Sequence, residues 1–249
     1  MSLVDVVVPT IGRPSLRALL ESLAAADGPL PDGILIVDDR RQATAPLLDG
    51  AVPSRLVSRT RILRGAAAGP AAARNTGWRA SAAEFIAFVD DDVVPDPDWL
   101  LRLREDITAL APDVGGSQGR LRVPLPRDRR PTDWERNVAA LETARWATAD
   151  MVYRRAALEA VGGFDPRFPR AYREDADLAL RVLDAGWRLT RGRRTAQHPV
   201  RPADRWISVR LQRGNADDPL MRALHGRHWR ARAGGPRGRR ARHVAVTAA

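Results

Sequence analysis

The stretch Phe85-Ile-Ala-Phe-Val-Asp90-Asp91-Asp92 limits what this chain can fold into more than any other. Phe85 to Val89 is an unbroken apolar run, long enough for a buried strand and too short for most helices. It ends in three adjacent carboxylates. Asp96-Pro97 follows as a helix-start pair, an N-cap acid before a proline at the first helical position. Trp99, Leu103, Ile107 and Leu110 then recur at helical spacing. A buried strand that delivers acids at its C-terminal edge, just before a helix, places them where open α/β sheets bind ligands. Three neighbouring carboxylates repel one another and raise each other's pKa values unless a positive charge sits among them. Hard oxygen donors of this kind suit Mg2+ or Mn2+, which bridge a carboxylate to a substrate's phosphates.

With 249 residues the chain can bury a full core without covalent staples. It has no cysteine, which excludes disulfides, thiolate metal sites and cysteine nucleophiles. No apolar run approaches the roughly 18 residues of a membrane span, and Met1-Ser-Leu-Val-Asp lacks the basic and apolar regions of a secretion signal. A soluble cytoplasmic protein is the expectation. The formal net charge is +11, and with no lysine present all 41 basic residues are arginine. Eight of them lie after Pro219 with no acid among them; the other 33 face 30 acids in residues 1–219, a net of +3. The body is nearly balanced, and the basic character belongs to the C-terminal segment.

Leu3 to Val8, closed by Pro9, reads as a first strand. Ser15 reads as the cap of a helix in which Leu16, Leu19, Leu20 and Leu23 share one face. Gly33 to Val37 is a second strand ending in Asp38-Asp39, Arg55 to Leu63 a weaker third, and Gly69 to Ala83 a helix. This alternation predicts an α/β fold, a mostly parallel sheet with helices on both faces. Strands that end in acids predict a ligand cleft along their C-terminal edge. Beyond Pro112, Gly115 to Val123 reads as a strand and Thr132 to Ala147 as a helix containing Trp134, Leu141 and Trp146. Ala156 to Val161 reads as a short helix stopped by Gly162, and Glu174 to Ala185 as another with Gly186 just past its end. Apolar periodicity fades after about residue 226, so residues 227–249 read as a basic tail without fixed structure.

Taken together, these pieces resemble a family 2 glycosyltransferase of the GT-A fold, over roughly residues 3–200. The resemblance rests on several motifs in the family's order. Val8-Pro9-Thr10 ends the first strand, and Ile36-Val37-Asp38-Asp39 ends the second. Gly69-Pro-Ala-Ala-Ala-Arg74-Asn75-Thr-Gly77 follows, and then Phe88-Val89-Asp90-Asp91-Asp92, which matches the family's metal-binding acidic motif. Ala157-Leu-Glu-Ala-Val-Gly162-Gly163-Phe164-Asp165 comes next, and last Glu174-Asp175-Ala-Asp177-Leu178-Ala-Leu-Arg181 with Ala185-Gly186-Trp187. The resemblance implies one GT-A domain in which residues 1–112 bind the nucleotide-sugar donor and residues 113–226 hold the acceptor and the catalytic base. It implies a nucleoside-diphosphate sugar donor, a hydroxyl acceptor, inversion at the anomeric carbon, and Mg2+ or Mn2+.

Carried onto this chain, the resemblance puts the nucleoside near Pro9, Thr10 and Asp38 or Asp39, a carboxylate being a natural acceptor for a base N–H. Arg74 either touches the donor phosphates or braces the acidic loop. Asp92 is the expected metal ligand, with Asp90 as a further one, Asp91 toward the ribose or a metal-bound water, and His198 completing the set. Asp175 is the first choice of general base and Glu174 the second, with Asp177 left to hold the helix or a neighbouring arginine. The chain departs from the pattern at Ala149-Asp150, where many relatives carry a small residue and then Asn, so the acceptor is not carried over; a saccharide, a lipid-linked molecule and a small molecule all remain open. A nucleotidyltransferase would show a glycine-rich basic loop after the first strand, and Pro9-Thr-Ile-Gly-Arg13-Pro is poor in glycine. A nucleic-acid binder would need aromatic platforms beside its arginines, and here the aromatics are scattered. Residues 222–242 are either a solvated tail or a peripheral contact with an anionic membrane face.

Overall fold

The computed structural model describes residues 2–48, 52–204 and 206–235. Its frame is β1 (Val4–Thr10), α1 (Ser15–Ala25), β2 (Gly33–Asp38), β3 (Thr60–Arg64), α2 (Pro70–Arg79), β4 (Phe85–Val89), β5 (Val94–Pro95) and α3 (Trp99–Thr108). There follow β6 (Val114–Arg122), α4 (Asp133–Ala139), β7 (Asp150–Arg154), α5 (Arg155–Val161), α6 (Glu174–Asp184), β8 (Arg188–Gln197), α7 (Ile207–Leu211), α8 (Asp218–His225) and α9 (Trp229–Arg232). The described strands form one curled sheet in the order β3-β2-β1-β4-β7-β6-β8-β5. β1 pairs in parallel with β2 and β4, β2 with β3, and β6 with β8; the β4–β7, β6–β7 and β5–β8 pairings are antiparallel.

The continuous apolar runs are explained by burial on both faces. Every residue of β1 and of β4 is buried, as expected for central strands of a covered, mostly parallel sheet. One face packs Val6, Val8, Ile36, Ala87 and Val89 against Leu16, Leu19 and Leu20 of α1 and Trp99 and Leu103 of α3. The other packs Val7, Val37, Phe88, Met151 and Tyr153 against α2, α5 and α6 through Ala73, Leu158 and Leu178. Both halves of the chain contribute strands to this sheet. β7 enters antiparallel to β4 with Val89 opposite Asp150, so the connection before β7 reaches the same edge as the acids after β4.

Several local expectations are corrected. Ser15 does not cap α1: the backbone is already helical at Pro14, whose ring fixes φ near the helical value, and the Ser15 hydroxyl is buried without a partner. α3 starts at Trp99, not at Pro97. Asp96 serves it through its backbone carbonyl, which accepts from Trp99 N at 2.9 Å, while the Asp96 carboxylate is taken by Arg122 and Thr195. The third strand covers only Thr60–Arg64, after a short 3-10 turn at Val57–Arg59. α4 begins with a capping box between Thr132 and Glu135 but stops at Ala139, and after a 3-10 turn the chain reaches Trp146 with φ +65°.

The tail reading fails for residues 227–235. Trp229 is 3% exposed and packs with Phe168, Leu180 and Met221 in a small third cluster. Ion pairs of Arg230 with Asp218 and Arg232 with Asp184 support it, and His225 Nε2 lies in hydrogen-bond contact with Asp177 at 2.8 Å. One aromatic residue in a basic stretch shows no period, and its partners lie up to 61 positions away, so the sequence carried no sign of the contact. Residues 236–249 lie outside the described residues.

Candidate active site

β4 carries its acids to the edge, and three neighbouring segments take one each. Asp91 is buried and turned toward the end of β1, where it accepts from Thr10 Oγ1 at 2.5 Å and from Arg13 at 2.7 Å. Burial pushes its pKa up, and the Arg13 charge opposes that. Asp90 accepts from Arg74 at 2.7 Å. Asp92 meets the end of β8, with His198 Nε2 at 3.4 Å and Arg201 Nε at 2.9 Å. His198 reaches this place because β8 runs alongside β6 and β5, and its backbone N–H donates to Arg122 O at 2.8 Å.

One ligand atom each from Asp90, Asp92 and His198 lie within 4.8 Å of one another. His198 Nδ1 is buried and has no hydrogen-bond partner. Two carboxylate oxygens and an imidazole, with spare acceptor capacity, fit a small divalent cation of the Mn2+ or Mg2+ kind. Asp91 is not in this group, because Thr10 and Arg13 occupy its oxygens. Asp90, Asp92 and His198 are thus brought together as expected, and Asp91 is a brace of the β1 end.

The parallel edge between β1 and β2 opens a cleft of about 650 Å3 lined by Ile11, Asp39, Arg40, Arg41, Gln42, Ala67, Gly69 and Pro169 among others. Asp38 and Asp39 diverge there. Asp38 is spent on Arg40, at 2.7 and 2.8 Å, with Arg64 at 3.6 Å; these contacts, led by the Arg40 hydrogen bond, hold its pKa down. Asp39 accepts from Gly69 N at 2.9 Å through one oxygen, and its other oxygen is buried without a partner. Gly69 has φ +96°, and a Cβ there would come within 2.2 Å of Pro169 O, so no other residue fits at this turn into α2. Thr10 at the end of β1 lies beside Asp39, whose N–H donates to Thr10 O at 2.8 Å, and Pro9 precedes it on the strand.

Arg74, on α2 and 2% exposed, bridges two carboxylates. One nitrogen bonds Asp90 at 2.7 Å and another Glu174 at 2.9 Å, tying the acidic edge to the start of α6. Glu174 also accepts from the backbone N–H groups of Tyr172 at 2.7 Å and Arg173 at 3.0 Å. Burial, then the charge of Asp175, push the Glu174 pKa up to about 7, with Arg74 pulling the other way. Asp175 is half-buried. One of its oxygens accepts from Ala176 N at 2.7 Å, and among the described residues the other accepts no hydrogen bond. Its pKa is raised as well, chiefly by burial, against the Ala176 N–H and the Arg74 and Arg173 charges. Asp177 holds Arg181 and His225, the supporting part expected of it.

Sequence reasoning missed Arg13 and Arg201, since one arginine among 41 basic residues gives no signal. It also gave no structural part to Asp150. That residue is buried, accepting from Arg194 at 2.7 Å and from Trp99 Nε1 at 2.8 Å, and Arg194 continues to Asp106 at 3.0 Å. Asp150 is thus the centre of a buried ion cluster joining α3, β7 and β8.

The family model described as "Glycosyl transferase family 2" matches residues 5–177. The pre-mycofactocin glycosyltransferases of two Mycobacterium tuberculosis strains (CDC 1551 / Oshkosh and ATCC 25618 / H37Rv) are 34% identical over 140 residues, a stretch covering 49% of this chain and 28% of theirs. The match therefore spans less than a third of the length of these relatives. Among solved structures, S. aureus TarS 1-349 in complex with UDP-GlcNAc is similar with a TM-score of 0.59 at 18% identity, over 81% of this chain and 60% of that one. The same protein in complex with UDP gives 0.55 at 18% identity, over 91% and 68%. These likenesses show a shared GT-A-like fold. With its acidic edge, Arg74 brace and α6 start all inside the matched residues, the chain belongs to glycosyltransferase family 2.

Proposed function

We propose that the protein transfers a sugar from a nucleoside-diphosphate donor to an acceptor hydroxyl, with inversion at the anomeric carbon. The observation that carries this is the division of labour at α6: Glu174 is fully engaged, while Asp175 beside it keeps an oxygen free. Asp39, which lines the cleft at β2 and has one buried oxygen without a partner, is the acceptor for a base N–H. That similar structures hold UDP-GlcNAc or UDP supports a nucleotide donor.

In the reaction, the acceptor oxygen attacks the anomeric carbon as the bond to the diphosphate oxygen breaks. The electron pair of that bond leaves on the nucleoside diphosphate, and the acceptor proton passes to Asp175. Asp90, Asp92 and His198 would hold a divalent ion, which would supply positive charge at the diphosphate. Arg74 keeps Asp90 and Glu174 fixed relative to each other throughout, and Glu174 keeps the α6 start in place. The basic segment 222–242 meets an anionic surface in this reading; among the described residues neither Arg222 nor Arg227 has a carboxylate partner, and both are exposed.

Calorimetric titration with UDP, GDP and dTDP, each with and without Mn2+, tests the proposal. One of them binds at least tenfold more tightly with Mn2+, and Asp92→Ala abolishes that gain while Tm is held. Absence of binding by all three, or a gain that survives Asp92→Ala, overturns it.

A further inference from the structure

Trp146 is the one bulky side chain among the described residues with a left-handed backbone, φ +65°; the other non-glycine case is Ala67. For a residue of this size that conformation is an outlier, and outliers of this kind persist only where their surroundings impose them. The surroundings do so here. Gln118, 2% exposed on β6, accepts from Trp146 N at 2.6 Å and donates to Ala144 O at 3.0 Å. Arg191 of β8 donates to the same Ala144 carbonyl at 3.0 Å. Two strands therefore spend side chains on one turn, and what the turn displays is the indole.

Register places that indole. Gln118 lies opposite Met151, and Met151 opposite Phe88, so all three side chains stand on the face of the sheet that carries α2 and α6. Trp146 packs against the cluster that contains Phe88 and Met151 and is left partly exposed. Three residues further on, Ala149 O accepts from Asp90 N at 3.3 Å, so the turn sits at the edge that bears the acids. Trp146 is thereby on the face of Glu174 and Asp175 and at the edge of Asp90, across β4 from the cleft beside β2. A packing role alone would not require an aromatic ring on a left-handed backbone, since a small residue or Asn adopts it at less cost.

We propose that Trp146 is the platform of the acceptor subsite, and that the acceptor presents a pyranose ring whose C–H face lies on the indole. Aromatic rings offer a large rigid surface with a negative face, complementary to the weakly positive C–H groups of a sugar. Gln118 and Arg191 act as positioning residues that fix the ring. The inference rests on the transferase reading of the site and narrows its acceptor from any hydroxyl compound to a saccharide.

The test uses methyl β-D-glucopyranoside, methyl β-D-galactopyranoside and the 2-acetamido-2-deoxy-glucoside as probes, with glycerol as a ringless hydroxyl control. Saturation-transfer NMR is recorded with and without UDP and Mn2+. The wild-type protein and Trp146→Phe transfer saturation to the ring C–H protons of at least one pyranoside. Trp146→Asn, which tolerates the left-handed backbone but lacks the ring, weakens that binding at least tenfold, leaves UDP affinity within twofold and keeps Tm. Glycerol shows no Trp146-dependent effect. Equal pyranoside binding by wild type and Trp146→Asn overturns the platform, as does a wild type that binds UDP but none of the pyranosides. A wild type that binds pyranosides through Trp146 but no nucleoside diphosphate keeps the platform and removes the donor reading, so the two failures are told apart.

Discussion

At the scale of single residues, Arg74 and Asp175 carry the sharpest tests of the proposed site. Arg74 is buried between two carboxylates, and its own pKa is raised by them against the cost of burial. Removing it leaves Asp90 and Glu174 close together without their cation, so Arg74→Ala should cost roughly 3–5 kcal/mol of stability, the usual penalty for breaking a buried pair. Arg74→Lys should recover only part of this, because an ammonium cannot hold two carboxylates in a fork; denaturant unfolding measures both. Asp175→Asn keeps the hydrogen bond to Ala176 N and removes the proton acceptor. Transfer should fall by about 10²–10⁴, with nucleotide affinity unchanged. The same change should raise Tm near neutral pH. A carboxyl whose folded pKa is raised weakens the fold once pH exceeds its unfolded value, because the folded state disfavours its charged form. Activity follows the opposite course: the acid limb of kcat lies above the ordinary aspartate range, and rate is lost as pH falls through the raised pKa. Should Glu174→Gln remove transfer while Asp175→Asn leaves it, the two exchange roles.

Elements tell a different story about what the sequence made legible. β4 and its acids, the α6 start with Gly186 after its end, and the Gly162 stop of α5 could all be read, because each signal is local: an apolar run, an acid cluster, a glycine at positive φ. The cap of α1 was misread because the adjacent Pro14 is already helical, and the start of α3 and the end of α4 because partners far along the chain decided them. Asp96 goes to Arg122 and Thr195, and the end of α4 is set by Gln118 and Arg191 drawing the turn at Ala144 inward. Arg74 was legible as a residue of the acidic edge, but its double contact with Asp90 and Glu174 could only come from the distances. The least legible elements were α8 and α9, which clasp α6. Arg170 pairs with Asp217 at 2.7 Å, Arg173 with Asp218 at 3.0 Å, and the Arg173 guanidinium lies 4.8 Å from the Trp229 ring centre. Arg173 directly precedes Glu174-Asp175, so the clasp holds the loop that leads into the proposed base. Trp229→Ala should cost about 3–5 kcal/mol, as for other buried tryptophans. It should lower kcat, because Arg173 leads directly into Glu174-Asp175. Loss of stability with an unchanged kcat would reduce the clasp to packing alone.

On the scale of the whole molecule, the charge of +11 is the property most easily misread, since it suggests nucleic acid until its location is considered. Most arginines of the body neutralise acids within the fold, as in the Arg194 cluster with Asp106 and Asp150. Among the described residues no helix is long and apolar enough to cross a membrane. Of the eight arginines after Pro219, Arg230 and Arg232 are spent on Asp218 and Asp184. Arg222 and Arg227 are exposed, and Arg237, Arg239, Arg240 and Arg242 follow the described residues. A cut after Gly226 would remove the buried Trp229 and confuse lost charge with lost structure. A cut after Gly235 keeps the clasp and removes four arginines and no acid, lowering the net charge from +11 to +7. Each arginine near anionic lipid adds about 1 kcal/mol at most, and the attraction fades within a Debye length of roughly 8 Å at physiological salt. Co-sedimentation with vesicles containing phosphatidylserine should therefore show the full chain partitioning at least tenfold more strongly than the truncated form at low salt, with the gap narrowing at physiological salt. Tm and nucleotide affinity should be the same for both. Equal partitioning of the two forms at low salt rules out a membrane role for the basic segment, and leaves its arginines as surface charge alone.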